Sequence, residues 1–380
     1  VGAPRIWLLL AEKAGDNAQV EALAAALPWP VEVRRIEIRP RWRVAKPRVR
    51  PTLDHVDLDA SDPLEPPWPD LLITMGRRTS SVALWIQQRS GDHTKIVLIG
   101  KPSGSADRMA LLVGSAELLL PPLPQVLKIR LPLLRMDPER VAKAAELWRP
   151  RFESLPRPMI AFLIGGPTRP YVYDETVTRR LLALARQVLD QGGTPYLTTS
   201  RRTPEALAEA LERDLPEGAI LHRWRAEAPP EENPFLALLG LSDGCIVTAD
   251  SASMIVEVAS LGRRLAILDL PVGGGWGRLE LARRRLLRAL FEPPRGGLLD
   301  GLRCGLARTA FRSRLVWASR DFRVLHEWLV DEGFAVWAGE ELVTPPGPLP
   351  DDRERVARRV GALLPDDRRA VAKPEAAASE

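Results

Sequence analysis

The feature that most constrains this chain is a regular alternation. Apolar runs of strand length are followed by segments with helical apolar spacing, from Ile6 to Leu268. Continuous apolar strands are buried on both faces, and the helices between them supply the crossovers that parallel strands need. The alternation predicts an α/β fold of parallel sheets wound by helices. In the first half, strands are expected over 6–10, 31–38, 71–74, 96–99 and 118–120, with helices over 18–27 and 80–88.

Residues 137–153 begin with Asp137 as N-cap and Pro138 at the first helical position, and Val141, Ala144, Ala145 and Trp148 follow at helical spacing. Pro156 and Pro158 then end the helix and stiffen the chain before a new apolar run, which suits a domain joint. The grammar restarts there, with strands over 159–164, 194–198, around Ile220, 245–248 and 265–268, and helices over 175–190, 204–213, 234–239 and 253–261. A Gly/Pro-rich stretch at 293–297, a helix-rich region and an amphipathic helix over 353–364 follow. A length of 380 residues and 45% hydrophobic content support more than one core. The expected division is 1–155, 156–330, a helical segment 331–365 and a disordered tail 366–380, whose composition lacks apolar periodicity.

The net charge of +5 comes largely from arginine, whose fork of donors suits phosphate and carboxylate and does not single out nucleic acid. No nucleic-acid partner is expected. Cys245 and Cys304 are the only cysteines, so neither a disulfide framework nor a CxxC pair can form, which fits a reducing compartment. No apolar run approaches the roughly 20 residues of a bilayer span. Arg5, Glu12 and Lys13 crowd the N-terminal apolar run too closely for a secretory signal. The expected place is the cytoplasm, including the inner face of the cytoplasmic membrane. There the basic run 39–51, with Trp42 and no acid, suits either a solvated loop or peripheral contact with anionic headgroups. His55, His93, His222 and His326 are scattered without ligand spacing, and Asp57 and Asp59 sit in a Pro-rich loop, so no metal site is expected.

In open α/β sheets, ligands bind beyond the carboxyl ends of the strands, where helix N-termini offer unpaired N–H groups to anions. Three strand ends in the second half carry suitable residues. Gly165 and Gly166, followed by Pro167 and Thr168, permit close backbone approach to a ligand and an anion nest. Ser200, Arg201, Arg202 and Thr203 form a diphosphate clamp, with Thr203 as the N-cap of the next helix. Thr248 to Ser253 opens a helix on which Ser253 and Glu257 share a face. A carboxylate there can accept both hydroxyls of a ribose. Singly, these strings also read as a tight turn, a helix start and a capping sequence. Falling on one edge of one sheet, they make a phosphate-binding edge.

In the first half, Gly15, Asp16 and Gln19 follow one strand and Gly76, Arg77 and Arg78 follow another. Asp16 with Gln19 fits a helix cap, and Asp16 is also the nearest carboxylate for deprotonating an acceptor hydroxyl, with Arg77 the nearest cation.

The strings Lys13 to Gln19, Gly76 to Arg78, Leu163 to Pro167, Thr199 to Pro204, Glu232 to Phe235 and Val247 to Ile255 together resemble the bacterial branch of the mitochondrial fission, Elm-type, family. That family is similar to the GT-B superfamily, which includes the lipid A disaccharide synthase and the peptidoglycan N-acetylglucosaminyltransferase. The resemblance implies two Rossmann-like domains facing a cleft, a nucleoside diphosphate sugar (UDP-sugar) on the C-terminal domain, an acceptor on the N-terminal one, and no obligatory metal or cofactor. Carried over by position, Gly165, Gly166 and Thr168 line the diphosphate. Ser200, Arg201, Arg202 and Thr203 bind phosphate or base, and Ser251, Ser253 and Glu257 hold phosphate and ribose. Asn233 and Asp250 fall in the same strings, and Gly15, Gln19, Arg77 and Arg78 would line the acceptor side. Pro121 to Gln125 departs from the pattern, since a more polar strand end, often with His and Asp, is expected there.

The implied activity is sugar transfer to an envelope lipid or polysaccharide, with Asp16 as base. A nucleotide-sugar epimerase on the same fold, or a non-catalytic scaffold that binds a membrane or protein partner, are the alternatives.

Overall fold

The computed structural model describes residues 2–44, 49–134, 136–292, 296–313, 315–316 and 318–369. It divides into two units: Val1–Leu134 with Leu286–Asp321 and Pro350–Glu380, and Arg135–Arg285 with Phe322–Leu349.

The first unit holds a six-stranded sheet in the order Val31–Arg35, Ile6–Leu10, Leu71–Met75, Lys95–Ile99, Leu111–Gly114, Val126–Lys128, with every neighbouring pair parallel. Alternate residues of the first strand feed opposite cores, as a strand covered on both faces requires. Ile6, Leu8 and Leu10 pack with Val20, Leu23 and Ile73, while Trp7 and Leu9 pack with Leu72, Val82 and Ile86. The first of these cores is closed by Val356, Ala357 and Val360 of the helix Arg353–Gly361.

The second unit holds a six-stranded sheet in the order Ile220–His222, Thr194–Thr198, Met159–Leu163, Gly244–Thr248, Leu265–Leu268, Val336–Trp337, again parallel throughout. Numbered in chain order within the unit, this is the 3-2-1-4-5-6 arrangement of dinucleotide-binding domains. The α/β fold class is as the alternation predicts, and one Rossmann-like sheet in each unit is as the resemblance implies.

The division along the chain differs from the expected one. The helix Pro138–Phe152 belongs to the second unit, where the Phe152 ring meets Tyr196 at 5.3 Å and Ala145 sits against Gly240. Residues 286–321 belong to the first unit, where Leu287, Phe291 and Ala307 cluster with Leu119. The expected segment 331–365 is split, because Val336–Trp337 completes the second sheet while Arg353–Gly361 caps the first core. The run 118–120 does not join the main sheet. Leu118–Leu119 pairs antiparallel with Ser319–Arg320, and Leu111–Gly114 and Val126–Lys128 take the sheet positions. Residues 45–48 of the basic run and 370–380 of the tail lie outside the described residues. Among those described, no helix is long and apolar enough to cross a membrane.

Candidate functional site

The chain winds in both directions from the centre of the second sheet, so its switch point lies between Met159–Leu163 and Gly244–Thr248. The loops leaving these strands are stitched together. The Gly165 N–H donates to Thr248 Oγ1 at 2.8 Å and the Gly166 N–H to Asp250 Oδ2 at 2.9 Å. Asp250 is only 2% exposed, and its other oxygen accepts the Tyr173 hydroxyl. The Arg202 guanidinium reaches Asp250 at 3.5 Å and donates to Thr168 Oγ1 at 3.2 Å. Thr203 Oγ1 donates to the Gly165 carbonyl at 2.7 Å and accepts the Ser200 N–H at 2.8 Å. Burial pushes the Asp250 carboxyl above its ordinary range, against the pull of Tyr173, Gly166, Thr248 and Arg202.

These contacts revise two expectations. A side chain on Gly166 would stand 2.0 Å from the Arg202 carbonyl oxygen, and one on Gly165 would stand 2.4 Å from Asp250. The glycines therefore admit the protein's own loops, and their N–H groups are engaged inward instead of forming an open nest. Thr203 is not the cap of the next helix either. That helix starts at Glu205 behind Pro204, and the Thr203 hydroxyl serves the glycine loop instead. Asn233 is engaged just ahead of the helix Phe235–Leu241, its Oδ1 accepting the Phe235 N–H at 3.0 Å.

What stays available is the start of the helix Ala252–Ser260. Its N-cap Ser251 makes no side-chain capping bond. The amides of Ala252, Ser253 and Met254 find no acceptor among the described residues, and Ser253 is exposed. Arg201 is exposed and forms no ion pair among the described residues. One turn into the helix lies Glu257, partly buried and, among the described residues, without a side-chain partner. Burial raises its carboxyl to about 7.

In the first unit the switch point lies between Ile6–Leu10 and Leu71–Met75. Asp16 sits in the first turn of the helix Ala14–Ala25 and not at its cap, because the helix begins four residues earlier than expected. Asp16 lies 3.9 Å from Lys13, and Gly76, at φ 114°, approaches its carboxylate so closely that a Cβ there would be 3.3 Å from Oδ2. Burial raises the Asp16 carboxyl, opposed by Lys13 and Arg320 and supported by Glu12. Gly15 is exposed. Arg78 is committed to structure, pairing with Glu12 at 2.8 Å and donating to the Trp42 carbonyl at 2.9 Å. Arg77 opens the helix Arg77–Arg89 and lines a cavity of about 770 Å³.

Sequence reading missed Glu117. It is fully buried, accepts the Ser115 hydroxyl at 2.7 Å and leaves Oε2 without a partner among the described residues. With Gln19, Ser115 and Arg320 it lines a cavity of about 20 Å³, room for about one water. Burial pushes its carboxyl up, and Arg320 works against that. The available signal was a single acid between the apolar runs 111–113 and 118–120. Tyr173 left no such signal.

The family model described as Mitochondrial fission ELM1 matches residues 14–291. The chain belongs to that family. Within this ELM1-family chain the match takes in the second unit's switch point and, of the first, Asp16 and Leu71–Met75 but not Ile6–Leu10, and it ends before Arg320 and the helix Arg353–Gly361. The chain is 25% identical over 222 residues to the Mitochondrial fission protein ELM1 of Arabidopsis thaliana, covering 53% of this chain and 51% of that protein. It thus spans about half the length of that plant relative. An uncharacterized protein of Rickettsia prowazekii is 23% identical over 297 residues, covering 70% of this chain and 83% of that one. Among solved structures, the UDP-GlcNAc 2-epimerase of Methanocaldococcus jannaschii aligns with a TM-score of 0.47 at 10% identity, over 94% of this chain and 99% of that one. The catalytic domain of Starch Synthase IV from Arabidopsis thaliana, bound to ADP and acarbose, aligns with a TM-score of 0.43 at 10% identity, over 88% and 99%. Likenesses of this strength carry no conclusion about chemistry.

Proposed function

We propose that this protein binds a nucleoside diphosphate sugar, a UDP-sugar in the first instance, and transfers the sugar to an envelope lipid or polysaccharide acceptor without an obligatory metal. The observation that carries this reading is the uncapped start of the helix Ala252–Ser260, where Ser251 and Ala252 are buried and Ser253 is exposed. Unpaired amides, the Ser251 and Ser253 hydroxyls and a partly buried Glu257 one turn on are the groups that diphosphate and ribose demand. The helix amides and Arg201 would stabilise the charge that develops on the leaving diphosphate. Asp16, in the first unit, is the proposed acceptor of the proton from the incoming hydroxyl. Work at the cytoplasmic face of the membrane belongs to the same proposal, with the basic run 39–51 in contact with headgroups. Of its described arginines, Arg43 already pairs with Glu37 at 3.6 Å and Arg50 with Asp54 at 3.1 Å.

Calorimetric titration with UDP, GDP, CMP and TDP and their sugars, with and without EDTA, tests the reading. One diphosphate should bind regardless of EDTA, and Arg201→Ala and Glu257→Gln should each weaken it by roughly tenfold or more. Failure of every nucleotide to bind would overturn it.

A second reading is a scaffold that retains the donor fold without turnover. The inward engagement of the Gly165 and Gly166 amides and the Arg202–Asp250 pair favours it. Labelled sugar appearing in a lipid or polysaccharide fraction separates the two.

A further inference from the structure

Leu298, Leu299, Leu302 and Leu306 are 90%, 83%, 72% and 64% exposed on the helix Leu298–Arg312. At 3.6 residues per turn they share one arc about 100° wide, opposite the buried Cys304 and Ala307. Leu286 and Leu315 of the same unit are exposed as well. Contiguous apolar surface of this kind marks an interaction site. The arc contains no acid, and the helix's one acid, Asp300, pairs with Arg303 at 3.0 Å. Arg303 lies to one side of the arc and Arg308 and Arg312 to the other. Arg308 is held there by its bond to the Pro122 carbonyl at 2.8 Å.

The last turn of this helix also builds a cavity. Phe311 and Arg312 join Leu123, Val316, Arg77 and Lys101 in its wall, enclosing about 770 Å³. Asp107, Ser103 and Gln125 line it too, so the three cations face one acid, and apolar walls with this net positive lining match an acyl chain ending in a phosphate.

We propose that the first unit carries a site for anionic phospholipid, in which the helix 298–312 lies in the bilayer interface and the cavity beside its last turn takes one lipid. A leucine arc flanked by arginines is the pattern of an interfacial helix. The cation-lined cavity favours a lipid over a second copy of the chain, which would cover the leucines and leave the cavity unused. The site is separate from the 39–51 run and does not depend on sugar transfer.

The full chain is sedimented with vesicles of phosphatidylcholine, alone or mixed with phosphatidylglycerol. It should bind the mixed vesicles, and the double variant Leu302→Glu, Leu306→Glu should bind them at least about tenfold more weakly, since the apolar burial of two leucines is lost. Leu302→Phe with Leu306→Phe should restore binding. Short-chain phosphatidylglycerol below its micellar concentration should bind once per chain, with binding lost in Arg312→Gln and kept in the double Glu variant. Four results would each overturn the proposal: equal binding by the double Glu variant, no preference for anionic vesicles, loss of binding only in Arg41→Gln with Arg43→Gln, or a dimer that the double Glu variant dissociates in sedimentation velocity.

Discussion

Asp250 accepts the backbone N–H of Gly166 at 2.9 Å from a buried position, so a single carboxylate fixes the first loop of the second unit's switch point. With Tyr173 on its other oxygen, Asp250 satisfies an amide and a hydroxyl at once. Asp250→Ala strands both, at about 1–3 kcal/mol each. Asp250→Asn keeps the shape and one acceptor and should cost roughly half as much. Urea unfolding measures the difference, and an Asp250→Ala midpoint equal to wild type would show that the carboxylate does not hold the loop.

Gly166→Ala must move the Arg202 carbonyl, which stands 2.0 Å from the new Cβ, and is expected to lose about 1–3 kcal/mol of stability. Gly15→Ala is the control. Nothing lies within 4 Å of its Cβ position and it sits in the helix Ala14–Ala25, so a gain of about 0.5–1 kcal/mol is expected. Thermal unfolding of the pair should move in opposite directions.

Glu257 makes stability depend on pH. Its folded carboxyl titrates at about 7 against 4.5 unfolded, so the folded state holds the extra proton between those values. Stability should therefore fall as pH rises through that window, by at most about 3 kcal/mol, and Glu257→Gln should flatten the slope. Nucleotide affinity should run the other way, rising as Glu257 ionises and can accept two ribose hydroxyls. Titrations of the wild type at pH 6 and pH 8 that agree would remove Glu257 from the ribose site.

Asp16→Asn should leave nucleotide binding intact and lower sugar transfer by about 10²–10⁴-fold, the contribution of a positioned base. Glu117→Gln replaces a carboxyl that burial pushes toward the neutral form with an amide of the same shape, so its stability should stay within about 1 kcal/mol of wild type. Equal kinetic loss in both variants would argue that the two carboxylates act as a unit.

Much of this was legible from local pattern. The strands at Ile6, Leu71, Met159, Thr194 and Gly244 announce themselves as apolar runs, and the residues expected at the two switch points lie in the loops and helix starts that follow them. Strand order was not legible, since periodicity shows that Gly244–Thr248 is buried without showing that it lies beside Met159–Leu163. Leu118 to Leu120 misled because an apolar run before proline looks the same whether it joins a main sheet or a two-stranded ladder. The glycine pair was expected to admit a ligand, but what approaches is Asp250 and Arg202 from distant loops, a partnership that only the folded backbone creates.

The helix Arg353–Gly361 supplies Val356, Ala357 and Val360 to a core whose other members begin at Ile6. A ribosome must therefore translate as far as Val356 before this helix can cover the strand Ile6–Leu10, whereas the second unit has all its residues by Leu349. The sheet of the first unit waits without this cover during synthesis, and a premature stop between Leu349 and Val356 would release a product whose second unit is complete while Leu8 and Ile73 remain an aggregation hazard.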